Sequence, residues 1–222
     1  MGGPSIRTTA LPFIPFNYPY ENEMTLPKVV EDVRAMGFLG VFKERRSVKH
    51  LGRCSVEKLS QVLYYACKPY EISKDDYGMT VFRSASPSAG GRHPIDVLVG
   101  LPEQGGRNLF LYEPVKHTLK RLAVSEEKLR LFYEDVESTL SFGESVLLWF
   151  SIQYMRTASK YTDYMSLIWR DAGALLCCLQ QAAKYVGLES CPIGYLAEES
   201  FNNLFNNDAL VSGGGMILGS MI

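Results

Sequence analysis

The segment from Ser166 to Val186 constrains this chain most. Leu167, Ala172, Leu175, Leu176, Leu179, Ala182, Ala183 and Val186 recur there at helical spacing and form a wide apolar face. A helix apolar over so much of its circumference belongs at the centre of a domain, and Gly187 is placed to stop it. Val146 to Ile152 (VLLWFSI) is a near-continuous apolar run, the pattern of a strand covered on both faces. Together they predict a layered domain that combines helices with a sheet.

Other segments fill in the layers. Ser55 reads as a helix N-cap, followed at helical spacing by Val56, Leu59, Val62, Leu63 and Ala66. Ser125 to Leu140 repeats the pattern, with Leu129, Phe132, Tyr133, Val136 and Leu140 on one stripe. Ile95 to Val99 and Asn108 to Tyr112 read as strands, the second ended by Glu113-Pro114. Val211 to Leu218 contains Gly213, Gly214 and Gly215, which predict a bend and then a short last strand. Helices and strands interleave with no repeat and no dividing linker. The fold class is α+β or α/β, in one domain over residues 24–222.

Residues 1–23 differ. Pro4, Pro12, Pro15 and Pro19 fix φ and remove amide donors, so an extended arm is expected. Phe13, Phe16, Tyr18 and Tyr20 call for burial against another surface, for which a partner subunit is one candidate; a frayed terminus is the other reading.

Composition excludes several classes. Lys plus Arg is 23 and Asp plus Glu is 24, so the chain lacks the basic excess of a nucleic-acid binder. No apolar run approaches membrane-spanning length, and the first residues lack a signal-peptide pattern, so a cytoplasmic location is expected. Cys54, Cys67, Cys177, Cys178 and Cys191 contain no C-x-x-C and read as small apolar residues in a reducing compartment. His50, His93 and His117 lie far apart, and no metal site is expected.

Four segments could carry chemistry. Arg45-Arg46-Ser47-Val48-Lys49 offers three cations and a hydroxyl, which suit a phosphate dianion or simply a solvated basic turn. Pro87-Ser88-Ala89-Gly90-Gly91-Arg92 precedes the Ile95 strand. Its small residues let backbone amides approach a ring or phosphate, or form an ordinary turn. It is neither a P-loop nor a dinucleotide fingerprint. Lys160-Tyr161, between the apolar strand and the long helix, could serve as base and proton donor, or lie on the surface; Lys184-Tyr185 reads as helix surface. Cys191-Pro192-Ile193-Gly194 follows the long helix as an irregular segment or a plain helix-to-strand connection.

Order and spacing give these segments a common meaning. Arg-Arg-Ser-x-Lys resembles the phosphate-binding motif of FMN-dependent nitroreductases. PSAGGRHPIDVLV (Pro87 to Val99) resembles that superfamily's Pro-Ser-rich loop and strand, in the version found in SagB-type dehydrogenases. NLFLYEPVKHTLKRL (Asn108 to Leu122) and DAGALLCCLQQAAKYVGLESCPIG (Asp171 to Gly194) are similar to further blocks of that subgroup, and the resemblance covers about Phe42 to Gly219.

The resemblance implies an α+β nitroreductase-like fold with a central mixed β-sheet flanked by helices, in a domain-swapped-type homodimer. It implies that Arg45, Arg46, Ser47 and Lys49 hold the FMN phosphate. It implies that Pro87, Ser88, Ala89, Gly90, Gly91 and Arg92 lie along the flavin, and that Pro192, Ile193 and Gly194 sit near its reactive edge. The subgroup's catalytic pair falls at Lys160 and Tyr161. Two departures stand out. Thr162-Asp163-Tyr164-Met165-Ser166 replaces an Arg-x-Tyr-Arg-like stretch, and no basic residue follows the last strand before Ser220-Met221-Ile222. The implied activity is oxidation of azoline rings of a peptide, or related biosynthetic intermediate, to thiazole or oxazole, with dioxygen reoxidising the flavin and a cyclodehydratase as a possible partner. The alternatives are an NAD(P)H-dependent nitro or quinone reductase, and a scaffolding subunit of a biosynthetic complex.

Overall fold

The structure, a computed structural model, describes residues 3–30, 37–103 and 106–222. Among these, seven strands form one sheet: β1 (Tyr20–Thr25), β4 (Ile95–Glu103), β5 (Gly106–Glu113), β6 (Thr118–Leu122), β7 (Val146–Ile152), β8 (Glu189–Ile193) and β9 (Val211–Gly219). Their order is β1-β6-β5-β4-β7-β9-β8. A separate hairpin pairs β2 (Glu71–Lys74) with β3 (Thr80–Arg83).

Every strand pairing in the large sheet is antiparallel, which corrects the expected mixed sheet. Among the described residues, the one parallel contact is an isolated bridge between Ser47 and Ser190. An apolar run reports that both faces of a strand are covered, and it is silent on strand direction. β7 makes the point, because all seven of its residues are buried. Val146, Leu148 and Phe150 join one core; Leu147 and Trp149 join the other.

Helices cover both faces. α2 (Val56–Cys67) and α5 (Met165–Tyr185) supply Leu59, Val62, Leu63, Leu175, Leu179 and Ala183 to the first core. α3 (Glu126–Glu137) and α6 (Glu198–Phe205) supply Leu129, Phe132, Phe201 and Leu204 to the second. Each such Leu or Phe contributes about 1.5–3 kcal/mol on burial. Ser55 caps α2 as its sequence predicts, its Oγ accepting from Lys58 N–H at 3.3 Å. α5 stops at Gly187, whose φ is +72°. Two short helices complete the set: α1 (Phe38–Glu44), just before Arg45, and α4 (Met155–Ala158), just before Lys160.

Two further expectations change. β9 is one nine-residue strand, not a bend and a short strand; the glycine run is absorbed by a register shift opposite Trp149 and Ser151. Residues 3–23 are not frayed, since the arm packs on its own chain. Ile6 bridges Tyr161, the Phe16 amide donates to Gln153 Oε1 at 2.7 Å, and Tyr18 is buried beside Phe16 and Phe205. The arm ends in β1, which pairs with β6.

Candidate functional site

The basic segment follows α1 and lies against β8. Val48 N–H donates to the Ser190 carbonyl at 3.0 Å, beside the Ser47–Ser190 bridge. This pairing brings Arg45, Arg46, Ser47 and Lys49 next to the strand that carries Pro192 and Ile193, with Gly194 just beyond it. Arg46 Nη1 is turned back onto the carbonyls of Lys43 and Arg45, both at 2.8 Å. Among the described residues, no carboxylate pairs with Arg45, Arg46 or Lys49, so the cluster carries uncompensated positive charge.

The Pro87–Arg92 loop is a short 3-10 turn over Ala89–Gly91. Its clamp is Asp171, a buried carboxylate on α5. Ser88 Oγ donates to Asp171 Oδ2 at 2.6 Å, and Ala89 N–H reaches both carboxylate oxygens at 3.1 Å. Burial pushes the Asp171 carboxyl up, and the bonds from Ser88 and Ala89 only partly offset it.

Lys160 and Tyr161 come to the other side of this loop. Gly90 has φ +61°, and a Cβ there would lie 2.6 Å from the Tyr161 hydroxyl and 3.3 Å from Lys160 Nζ. Only glycine allows both the conformation and the approach. Arg92, the last loop residue, is buried and ion-pairs Asp75 at 2.5 Å, and Lys160 Nζ lies 3.9 Å from the same carboxylate oxygen. Nε and Nη1 of Arg92 have no hydrogen-bond partner among the described residues. Asp75 opens the β2–β3 turn, where its Oδ1 accepts the amides of Tyr77 and Met79 at 3.0 Å. Burial works to raise the Asp75 carboxyl; those two amides, with Arg92 and Lys160, outweigh it and hold it low.

The sequence-predicted residues therefore fall into two groups. Arg45, Arg46, Ser47, Lys49, Pro192, Ile193 and Gly194 form one, around the start of β8. Pro87, Ser88, Ala89, Gly90, Gly91, Arg92, Lys160 and Tyr161 form the other, and no hydrogen bond or ion pair among the described residues joins the two. A cavity of about 450 Å³ lies beside the second group, walled by Phe13, Phe16 and Tyr18 of the arm and by Ser88 and Asp171. Sequence reasoning missed Asp75 and Asp171. Asp171 was legible as a carboxylate on the buried stripe of the long helix, and Asp75 as the Asp of an Asp-Asp-Tyr-Gly turn. Lys184, read as helix surface, is instead largely buried and pairs with Glu189 at 2.6 Å. Among the described residues, no three metal-ligating side chains come together. No helix among them is long and apolar enough to cross a membrane.

Known proteins share this fold. The model of the nitroreductase family matches residues 42–220. A nitroreductase-type protein of Ralstonia eutropha JMP134 has the same fold at a TM-score of 0.66 and 18% identity, over 96% of this chain and 98% of that one. One from Anabaena variabilis ATCC 29413 has a TM-score of 0.64 at 20% identity, over 95% of this chain but 41% of that longer one. A chain of the Escherichia coli microcin synthetase McbBCD complex, solved with truncated pro-MccB17 bound, has a TM-score of 0.62 at 18% identity, over 87% and 76%. No curated protein matches the chain. With four-fifths of its length covered by the family model, this chain belongs to the nitroreductase family of oxidoreductases.

Proposed function

We propose that the chain is an FMN-dependent dehydrogenase of the SagB type, oxidising an azoline ring of a peptide or related intermediate to a thiazole or oxazole. The observation that carries this reading is the contact of Lys160 and Tyr161 with Gly90. It puts a candidate proton-transfer pair against the loop that the resemblance assigns to the flavin. A chain of the McbBCD complex, described as a microcin synthetase with truncated pro-MccB17 bound, shares the fold and supports the substrate class.

The residues suit the cofactor. Nitroreductase-family proteins generally depend on flavin, and one solved relative is described as an FMN-dependent nitroreductase. The uncompensated Arg45, Arg46 and Lys49, with the Ser47 hydroxyl, match a phosphate dianion. Pro192, Ile193 and Gly194 would border the reactive edge of the ring. Bound FMN would supply the acceptor for a hydride equivalent, with dioxygen restoring it and leaving as hydrogen peroxide. The protein's part is proton chemistry. Tyr161, or Lys160 beside it, takes the Cα proton as the hydride equivalent leaves the neighbouring ring carbon.

Two half-sites in one chain favour a homodimer in which the basic cluster of one subunit meets the loop of the other. Exposed Phe38, Leu39 and Phe42 on α1 and Trp169 on α5 give such a partner apolar surface to cover. A cyclodehydratase that makes the azoline is the complementary partner, and a cytoplasmic location suits the five free cysteines.

The test is the visible spectrum of the purified protein under anaerobic conditions. Oxidised-flavin absorbance that a thiazoline peptide bleaches and NAD(P)H does not is the expected result. Fast bleaching by NAD(P)H alone would favour a nitro or quinone reductase. A protein that takes up no flavin on reconstitution would be a scaffolding subunit.

A further inference from the structure

Lys160 is held by contacts that close into a ring. Its carbonyl accepts the Arg7 amide at 2.8 Å. The Arg7 carbonyl accepts the Tyr77 hydroxyl at 3.1 Å. Tyr77 N–H donates to Asp75 Oδ1 at 3.0 Å, and Asp75 Oδ2 lies 3.9 Å from Lys160 Nζ. Thus the backbone of Lys160 is fixed by the arm, and its side chain faces a carboxylate fixed by the β2–β3 turn. Arg7 adds a second hold, its Nε donating to the Ala158 carbonyl at 2.9 Å. Arg7 lies outside residues 42–220, the stretch that matches the family model.

The geometry points to Asp75 as a positioning residue for the proposed reaction, placing the Lys160 amine against the Pro87–Arg92 loop, with the N-terminal arm closing the ring at Arg7. This rests on reading Lys160-Tyr161 as the catalytic pair.

The physical case is the sharing of one carboxylate by two cations. Lysine has a long flexible stem and a strongly hydrated head, and it holds one geometry only where partners fix it. The Lys160 side chain is 17% exposed, and Asp75 is its ion-pair partner among the described residues. The same Oδ2 holds Arg92, whose side chain is 2% exposed. Because Arg92 ends the loop that carries Gly90, a displacement of Asp75 moves both the Lys160 amine and the surface it faces. A residue that served only to pin the hairpin would be satisfied by its two amide bonds to Tyr77 and Met79.

Asp75→Asn separates the two roles. Its Oδ1 can still accept both turn amides, while the charge facing Lys160 and Arg92 is gone. With a synthetic thiazoline peptide, kcat falls about tenfold with KM and the flavin spectrum unchanged, and the pH profile of kcat moves. Asp75→Glu gives values between those of Asn and the native residue. A second readout needs no turnover: the extent of Lys160 labelling by acetic anhydride at one fixed pH, followed by mass spectrometry. Labelling rises in Asp75→Asn, because a long side chain released from its partner is more open to the reagent. If Asp75→Asn does not fold, Asp75→Glu is read in the same two ways. A native pH profile and a native extent of labelling would overturn the positioning role. Full turnover in Lys160→Met would instead overturn the catalytic reading of Lys160, and the extent of labelling would then decide the Asp75 contact by itself.

Discussion

Ser88 Oγ lies 2.6 Å from Asp171 Oδ2 and ties the candidate flavin loop to the central helix. The same hydroxyl oxygen accepts the His93 amide at 2.8 Å, so one serine organises both ends of the turn. The loop thus depends on a carboxylate buried in a helix face.

Asp171→Ala should destabilise the fold, because it strands the Ser88 hydroxyl and the Ala89 amide. Each stranded group costs roughly 1–3 kcal/mol, to be measured by denaturant unfolding. Asp171→Asn tests the charge. Burial raises the Asp171 carboxyl, so the folded chain binds its proton more readily than the unfolded chain. The stability this group contributes is present at low pH and is lost as pH rises through the folded value. The deficit of Asp171→Asn against the native protein should therefore be largest in acid and shrink as pH rises. A deficit that grows with pH would show the opposite sign.

The basic cluster makes a separable prediction. Arg45→Ala and Lys49→Ala should each weaken FMN binding by about tenfold to a hundredfold, the loss of one charge-assisted hydrogen bond of about 1.5–3 kcal/mol. Riboflavin, which has no phosphate, should bind the variants and the native protein alike. Calorimetric titration with both ligands checks this, and an equal loss for riboflavin would place the cluster away from the phosphate. Arg45 is half-buried and Lys49 exposed on the segment between α1 and α2, and neither has an ion-pair partner among the described residues, so unfolding is not expected.

Much of the fold was legible because its strongest patterns are local. α5 follows from the apolar spacing of Leu175, Leu179 and Ala183, and α2 from Ser55 and the spacing of Leu59, Val62, Leu63 and Ala66. β1 and β6 were not legible. β1 is exposed along its whole length, so no alternation marks it, and its hydrogen bonds come from a segment about ninety-five residues away. The direction of β7 was hidden for a related reason, since full burial erases alternation whichever way its neighbours run. In the candidate site, the order of motifs singled out the loop, the cluster and the pair. Asp171 and Asp75 were legible as residue types, on the helix stripe and in the turn, but not as the carboxylates that contact the loop. Asp75 and Asp171 act through contacts 17 and 83 residues away, and nothing within a helical turn of either announces the partner.

Gly90→Ala should separate loop conformation from flavin capture. A left-handed φ costs an alanine about 1–2 kcal/mol, and its Cβ would meet the Tyr161 hydroxyl. Turnover should fall while affinity for FMN, which the proposal assigns to the Arg45–Lys49 cluster, changes little. Stopped-flow reduction by a thiazoline peptide, alongside an FMN titration, reads both quantities. A parallel loss of binding and turnover would mean that the loop's backbone itself holds the cofactor.

His117 should make the fold sensitive to mild acid. It is buried at φ +58°, between Ser60 Oγ on Nε2 and the Tyr112 hydroxyl on Nδ1, each at 2.8 Å. Ser60 gives its only hydroxyl proton to the Pro27 carbonyl at 2.7 Å, so Nε2 carries the imidazole proton and donates to Ser60. Nδ1 is then the acceptor of the Tyr112 hydroxyl, and protonating it breaks that bond. Burial lowers the pKa of His117, and Lys68 lowers it further. The unfolded chain therefore takes up this proton first. The stability contributed by the neutral ring is full above the unfolded value of about 6.5 and declines as pH falls from there to the folded value. Asn tolerates the left-handed backbone, so His117→Asn removes the titration with the turn kept. The variant should be less stable than the native protein at pH 7.5, by roughly 1–3 kcal/mol for the lost partners, yet lose less on acidification to pH 5. His93, also lowered by burial, remains in both proteins and cancels in the difference. Thermal melts at the two pH values give the four numbers needed, and an equal loss in both proteins would show that the acid sensitivity arises elsewhere.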